Sequence, residues 1–135
     1  MTTSEDIAIE IRKLLLADPI DGLTVSWQRS GYEQSKEVVV VPHTATGEGS
    51  IRMAVVVLNI HCPDIFDTAT NTYEPDFASL ASLRHAVILL VEHHVLTGTG
   101  INLRVTALNP ITKEPQYNEH FCSLYVTAYI RERNN

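Results

Sequence analysis

Residues 51–62, IRMAVVVLNIHC, form the stretch that decides the fold. They are rich in Val and Ile, contain no Gly or Pro and precede Pro63, a composition typical of a long β-strand. Side chains alternate between the two faces of a strand. One face would be entirely apolar, and the other would be apolar for four positions before it reaches Asn59 and His61. We therefore expect this strand to be covered on both sides, and the second cover could be a partner subunit.

The composition is that of a globular protein. The 135 residues suit one domain over residues 1–135, with 44% apolar and 19% charged residues. The net charge is −6 and the Lys and Arg residues are scattered, which argues against ordinary nucleic-acid binding. The first residues, MTTSEDIAIEI, lack a basic n-region and a cleavage motif, and no apolar run approaches the ~20 residues that span a bilayer. We expect folding in a reducing cytoplasm, with no membrane partner.

Apolar periodicity predicts two helices, over residues 5–17 and 77–96. Thr3 or Ser4 can cap the first helix and Asp76 the second. The predicted strands cover residues 23–28, 37–41, 51–62, 101–108 and 119–131. Residues 64–76 are predicted to form an acidic loop. The fold class is therefore α+β, with a mainly antiparallel sheet of four to five strands and two helices packed on it.

Six histidines raise the question of a metal site. His93 and His94 would point about 100° apart on a helix, so they cannot easily share a metal. A Cys/His site is conceivable only if strands bring together His61, Cys62, His120 and Cys122. The spacings typical of zinc sites, such as CxxC and HExxH, do not occur. We expect no metal and no cofactor.

The sequence also lacks a catalytic pattern. The acidic side chains of residues 64–76 lie in a predicted loop, where charges are usually solvated. No GxSxG motif occurs, and neither Cys62 nor Cys122 is at a predicted helix N-terminus, where a thiol pKa would be lowered. We expect two small buried thiols, although a disulfide between adjacent strands is geometrically feasible. We expect a protein that is not an enzyme.

Two surfaces are candidates for contact with other molecules. Tyr and Phe on one face of the last strand provide contact area with polar tips, and the central strand and second helix carry excess apolar residues. The candidate subunit interface comprises Val55, Val57, Leu89, Phe121, Tyr125 and Tyr129. A long hairpin around residues 43–50 should project from the domain. Its candidate partner-contacting tip comprises Thr46, Gly47, Glu48 and Gly49.

The order of elements resembles that of the tail-completion and tail-terminator (head–tail joining) proteins of long-tailed bacteriophages. The resemblance is carried by DIAIEIRKLLLADP at 6–19, AVVVLNIHCPD at 54–64, FASLASLRHAVILLVEH at 77–93 and HFCSLYVTAYIRER at 120–133. It implies a structural phage or prophage protein that forms a homohexameric ring at the end of the tail tube and meets the head connector. It also implies that the hairpin tip could contact a neighbouring ring, the tail tube or, passively, passing DNA, and that the protein assembles in the host cytoplasm and resides in the virion tail.

A second interpretation stays open at this point. A small α+β module could bind a ligand or peptide between its sheet and a helix, without catalysis. A deep apolar pocket in a monomer would favour this interpretation, whereas a closed ring of about six copies would favour the first.

Overall fold

A computed structural model describes residues 3–46, 51–96 and 100–131, without the side chains of residues 46, 51 and 131. The elements are α1 (Ser4–Ala17), β1 (Leu23–Ser26), β2 (Lys36–Thr46), β3 (Ile51–Pro63), β4 (Ile65–Asp67), β5 (Thr72–Glu74), α2 (Phe77–Val91), β6 (Val95–Leu96), β7 (Ile101–Leu108), β8 (Thr112–Lys113) and β9 (Glu119–Arg131). No helix within these ranges has the length and apolarity needed to cross a membrane.

The main sheet has seven strands in the order β1-β2-β3-β9-β7-β6, with β8 beside β9. Its centre is the antiparallel pair of β3 and β9, which runs in unbroken register from Ile51 opposite Arg131 to Pro63 opposite Glu119. The α+β class is confirmed. The predicted strand count of four to five was too small, because β6 and β8 have only two residues each and show no alternation. The strands β4 and β5 pair with each other as a separate hairpin inside the predicted acidic loop.

The first two strands depart from the antiparallel pattern. β1 and β2 are parallel, with Leu23 opposite Lys36 and Ser26 opposite Val39. A parallel pair requires the chain to return from the end of one strand to the start of the next. Residues 27–35 make this return. β2 continues past its predicted end at Val41, because a register shift between Pro42 and Thr44 accommodates a proline that has no N–H to donate.

Both helices pack on one face of the sheet, which we call the helix face. α1 begins at a capping box in which the Asp6 N–H donates to Thr3 Oγ1 and the Thr3 N–H donates to Asp6 Oδ2. The core consists of the inner sides of the two helices and the even-numbered positions of β3 and β9, among them Ile11, Leu80, Leu58 and Leu124. The opposite face, which carries the odd-numbered positions of β3 and β9, is called the open face.

α2 ends at Val91 and not at the predicted Leu96. Glu92 is already extended, with ψ 129°, and its N–H donates to the Ile88 carbonyl. His93 then adopts a left-handed conformation, with φ 63°. The chain thereby reverses, and Val95–Leu96 pairs with Ile101 and Asn102 of β7. The apolar periodicity that predicted a longer helix includes residues that belong to this short edge strand.

Candidate subunit interface on the open sheet face

The open face is built by the alternation of β3 and β9. Val57 lies opposite Tyr125, Val55 opposite Thr127, and Met53 opposite Tyr129. These pairs run from the middle of the sheet to the end that we call the far end, where β3 begins and β9 finishes. Met53 and Tyr129 are 42% and 40% exposed, so the far end presents an apolar and aromatic surface to solvent.

Five of the six predicted interface residues lie on this open face: Val55, Val57, Phe121, Tyr125 and Tyr129. Leu89 does not join them, because it lies on the outer side of α2, which packs on the helix face, and it is 69% exposed there. The structure thus divides the predicted patch into two separate surfaces. Their role in a subunit contact stays a prediction.

The described residues include only part of the predicted hairpin tip. Thr46 is the last residue of β2 and pairs with Met53 across the hairpin. Gly47, Glu48 and Gly49 lie outside the described residues.

The central strand has less uncovered apolar surface than its sequence suggests. Val57 is only 8% exposed in the single protomer, although no helix lies over it. Its cross-strand neighbour Tyr125 shields it, and the ring of His43 contacts Tyr125 edge-on at a centroid distance of 5.8 Å. Among the described side chains of this face, the large apolar ones that are most exposed are Met53, Val95 and Tyr129, at the far end.

The near end of the open face, where β3 finishes and β9 begins, is closed by the returning segment 27–35. Arg29 in this segment donates from Nη2 and Nε to the two oxygens of Glu119, at 2.8 and 3.2 Å, and from Nη1 to Glu37 at 3.0 Å. His61 Nδ1 lies 3.0 Å from Glu119 Oε2. All three charged side chains are almost completely buried. The guanidinium is therefore the shared counter-ion of both buried carboxylates and leaves one net negative charge on the three side chains.

Hydrogen bonds and charges set the protonation states of this cluster. Burial opposes ionisation of Glu37 and Glu119, but hydrogen bonds from Ser30, Arg29 and the Glu33 N–H outweigh it and hold the pKa of both carboxyls below the ordinary value. Burial lowers the pKa of His61, and the Arg29 charge acts in the same direction against the hydrogen bond to Glu119. The cluster is thus a carboxylate pair with its guanidinium, beside a neutral imidazole.

Backbone geometry fixes the same segment. Glu33 has a positive φ of 61° and donates its N–H to Glu119 Oε1 at 2.9 Å. Gly31 leaves room for Ser35, whose Oγ would lie 1.9 Å from a Cβ at that position. Tyr32 stacks on Tyr117 at a centroid distance of 4.1 Å, which joins the segment to the loop before β9. The near end is therefore a closed, rigid part of the face.

The two ends of the open face differ in charge. On the open-face positions of β2, β3, β7 and β9 in the described ranges, Glu37 and Glu119 are the only carboxylates, and both lie at the near end. The far end carries Arg104, which pairs with Thr127 and has a side chain 44% exposed. Glu92 lies at the rim, 3.8 Å from Arg104, and accepts the Val105 N–H. The far end thus combines apolar surface with a cation.

The cysteines and remaining histidines form a different set of contacts. His61 lies on the open face and His120 on the helix side, where its Nδ1 lies 2.6 Å from Asp64 Oδ1, so the two histidines do not meet. No group of three His, Cys, Asp or Glu side chains in the described ranges could hold a metal ion. Cys62 and Cys122 are both free and buried. Burial raises the pKa of the Cys62 thiol to about 11, which keeps it protonated and unreactive.

A groove of about 520 Å³ lies between α1 and the strands β6 and β7. Ile9, Leu14, Leu96 and Ile101 provide apolar lining, and Asp6, Glu10 and Lys13 provide charges. It is the feature that corresponds to the predicted ligand site between sheet and helix.

The sequence did not indicate the Arg29 cluster. Arg29 lies in a polar segment without motif, and 90 residues separate it from Glu119. The only signal was the presence of Glu37 and Glu119 as charged first residues of otherwise apolar strands. Such residues are usually solvated strand ends, so they did not stand out.

Comparison with known proteins gives one finding about the fold. No protein-family model and no curated protein matches the sequence. A solved structure, the virion of a native gene transfer agent particle, contains a chain that is similar over 90% of this chain and 91% of that one. The two chains are 13% identical, and the TM-score is 0.61. At this level of identity the likeness concerns the fold, which this chain shares with a chain of that virion.

Proposed function

We propose that the protein is a structural component of a phage or prophage virion, and that it acts as a tail terminator or head–tail joining protein. The observation that carries the proposal is the fold shared, almost end to end, with a chain of a gene transfer agent virion. The finer assignment to the tail rests on the resemblance of the element order to tail-completion and tail-terminator proteins. The role is mechanical and requires no catalysis.

In this role the protein forms a closed homo-oligomer, a hexameric ring, at the end of the tail tube and in contact with the head connector. Ring contacts join one patch of a subunit to a different patch of the next. The exposed apolar positions support this assignment, because Met53 and Tyr129 on the open face and Leu89 on α2 form separate surfaces. Assembly in the host cytoplasm and residence in the virion tail follow from the same proposal.

Native mass spectrometry of the purified protein, followed by electron microscopy, tests the proposal. We expect closed rings of about six copies, and we expect these rings to bind the open ends of purified tail tubes. A protein that stays monomeric at every concentration and does not bind tail tubes would contradict it.

The groove beside α1 supports one alternative function, a small binding module for an apolar ligand or peptide. Chemical-shift perturbation with a library of apolar peptides distinguishes the two functions. Shifts confined to groove residues such as Ile9 and Leu96, in a protein that stays monomeric, would favour the binding module.

A further inference from the structure

The β4–β5 hairpin is separate from the main sheet. Within the described ranges its two strands of three residues pair only with each other. Ile65, Phe66 and Tyr73 are 54%, 45% and 51% exposed, and the rings of Phe66 and Tyr73 contact each other edge-on at 5.1 Å. An isolated two-stranded hairpin is marginally stable in water. Three large apolar side chains exposed on such an element are typical of a binding arm.

The base of this hairpin is firmly attached, so the arm has a fixed position. Asp64 donates its N–H to the Asn118 carbonyl at 3.0 Å, and its carboxylate lies 2.6 Å from His120 Nδ1. At the other end, Asp76 Oδ1 accepts the Ser79 N–H and caps α2. The hairpin thus leaves the domain between two anchored residues and carries its apolar side chains away from the core.

The charge and the apolar side chains of the arm indicate which surface it fits. The segment 64–76 contains four acidic and no basic residues; Asp64 and Asp76 hold its base, and Asp67 and Glu74 lie on the hairpin strands. The far end of the open face has apolar side chains in Met53 and Tyr129 and the guanidinium of Arg104, which lies 3.8 Å from the carboxylate of Glu92 at the rim. The arm and this surface are therefore complementary chiefly through their apolar side chains, and Arg104 can pair with a second carboxylate beside Glu92.

The arm cannot reach this surface within its own chain. The hairpin follows Pro63, whereas Met53 and Tyr129 lie at the opposite end of the 13-residue strands. At about 3.3 Å per residue the two features are roughly 30 Å apart along the strand direction. The arm can therefore meet the far end only on another molecule, and a second copy of this chain supplies both the arm and the receiving surface.

We infer that the β4–β5 hairpin of one copy docks on the far end of the open face of the next copy, with Phe66 and Tyr73 against Met53 and Tyr129 and with Glu74 near Arg104. Because arm and receiving surface lie at opposite ends of the protomer, the contact is heterologous and can be repeated from copy to copy around a ring. This inference rests on the proposed ring and specifies its two contacting halves.

Variants of each half test the inference by sedimentation velocity. Phe66→Asp removes an aromatic anchor from the arm, and Tyr129→Asp removes one from the receiving surface. We expect each variant to be monomeric where the parent is a ring, with the dissociation constant raised by roughly 30-fold or more. Leu16→Asp, at a residue 46% exposed on α1, is the matched control and should assemble like the parent.

Mixing the two variants gives the sharpest result. A Phe66→Asp protomer keeps its receiving surface and a Tyr129→Asp protomer keeps its arm, so the mixture should form dimers and no ring. Arg104→Glu and Glu74→Lys provide a second pair at exposed positions, and thermal denaturation checks the fold of Arg104→Glu because it places a carboxylate beside Glu92. Each should weaken assembly by about tenfold, and the double variant should restore it.

The outcomes separate this contact from the ring itself. If the two arm variants, Phe66→Asp and Glu74→Lys, both assemble into the parental ring, the proposed arm contact is wrong although the ring itself forms. If the control Leu16→Asp disrupts assembly equally, the contact is also overturned, because the effect is not specific to the arm. A parent that is monomeric at every concentration overturns both the ring and the arm contact.

Discussion

Arg29 and Glu119 form a two-pronged ion pair across 90 residues of sequence, with N···O distances of 2.8 and 3.2 Å. The pair fastens the returning segment 27–35 to the central sheet, and Glu37 completes it on the neighbouring strand. A guanidinium suits this position because its planar donors match a carboxylate geometrically and it retains its charge when buried. Arg29 thus supplies the charged part of the closure at the near end, beside the Glu33 N–H and the stack of Tyr32 on Tyr117.

Arg29→Met should lower the free energy of unfolding by about 3 kcal/mol, because it leaves two buried carboxylates without their cation. Urea denaturation followed by circular dichroism measures the loss. Lys13→Met is the control, since Lys13 and Glu10 form an exposed pair whose removal should cost less than about 0.5 kcal/mol. An unchanged midpoint for Arg29→Met would show that the segment is held by other contacts.

The same carboxylates should make the protein acid-sensitive. The folded pKa values of Glu37 and Glu119 lie below the ordinary value of 4.5, so the stabilisation is fully present above pH 4.5 and is lost as the pH falls through the folded values. Urea midpoints between pH 6 and pH 3 follow this loss. In Arg29→Met the decline below pH 4.5 should be shallower, and a slope equal to that of the parent would argue against the assignment.

His61 should produce a separate effect nearer neutrality. Its folded pKa is lowered below the ordinary value of 6.5, so the unfolded chain binds more protons there and stability decreases as the pH falls through 6.5. His61→Gln retains a donor for Glu119 and should remove this contribution. Between pH 7.5 and pH 5.5 the free energy of unfolding of the parent should therefore decrease more than that of His61→Gln. A difference of opposite sign would mean that the folded state holds the charged imidazole.

The two cysteines should react only when the protein unfolds. Burial raises the pKa of both thiols, that of Cys62 to about 11. Their cross-strand partners are His120 and Ile60, so the thiols are diagonal neighbours on the helix face and not a directly opposed pair. Labelling with a thiol-specific disulfide reagent at pH 8 should therefore proceed at the rate of unfolding. Rapid labelling of the native protein, or an oxidised form, would contradict this.

Variants of Val57 and Tyr125, the central pair of the open face, should distinguish a loss of stability from a loss of association. Val57→Glu places a carboxylate at a position 8% exposed and should cost about 3 kcal/mol of stability. Tyr125→Glu, at a half-buried position directly opposite, should retain the fold and weaken assembly. Thermal denaturation and sedimentation of the two variants test this difference, and a Tyr125→Glu protein that assembles like the parent would exclude the middle of the face from the interface.

The apolar, β-branched composition of residues 51–62 predicted the central strand, and the face predicted to be entirely apolar, from Ala54 to Cys62, lies in the core. The start of α1 was equally predictable from sequence, because the capping box involves only the neighbouring residues Thr3 and Asp6. The early end of α2 was not, because the left-handed turn at His93 depends on the pairing of Val95–Leu96 with β7. Apolar residues fit both elements, and the distant partner decides between them.

Prediction of the candidate interface from sequence has the same limit. The position of five interface candidates on one face followed from alternation in β3 and β9. Apolar character alone places Leu89 in the predicted patch, and the packing of α2 on the other face separates it from the rest. The sequence of the β4–β5 hairpin predicts a loop, because its short strands carry as many polar as apolar residues. Long-range pairs such as that of Arg29 have no local pattern at all.

The sheet finishes in very short strands, four residues in β1 and two in β6. The unpaired N–H and C=O groups of an edge strand can pair with further chains without limit. A short edge strand presents few such groups. In the ring proposed above, such short edge strands would leave assembly to side-chain contacts that specify a closed number of copies, and not to the open-ended strand pairing of a fibre.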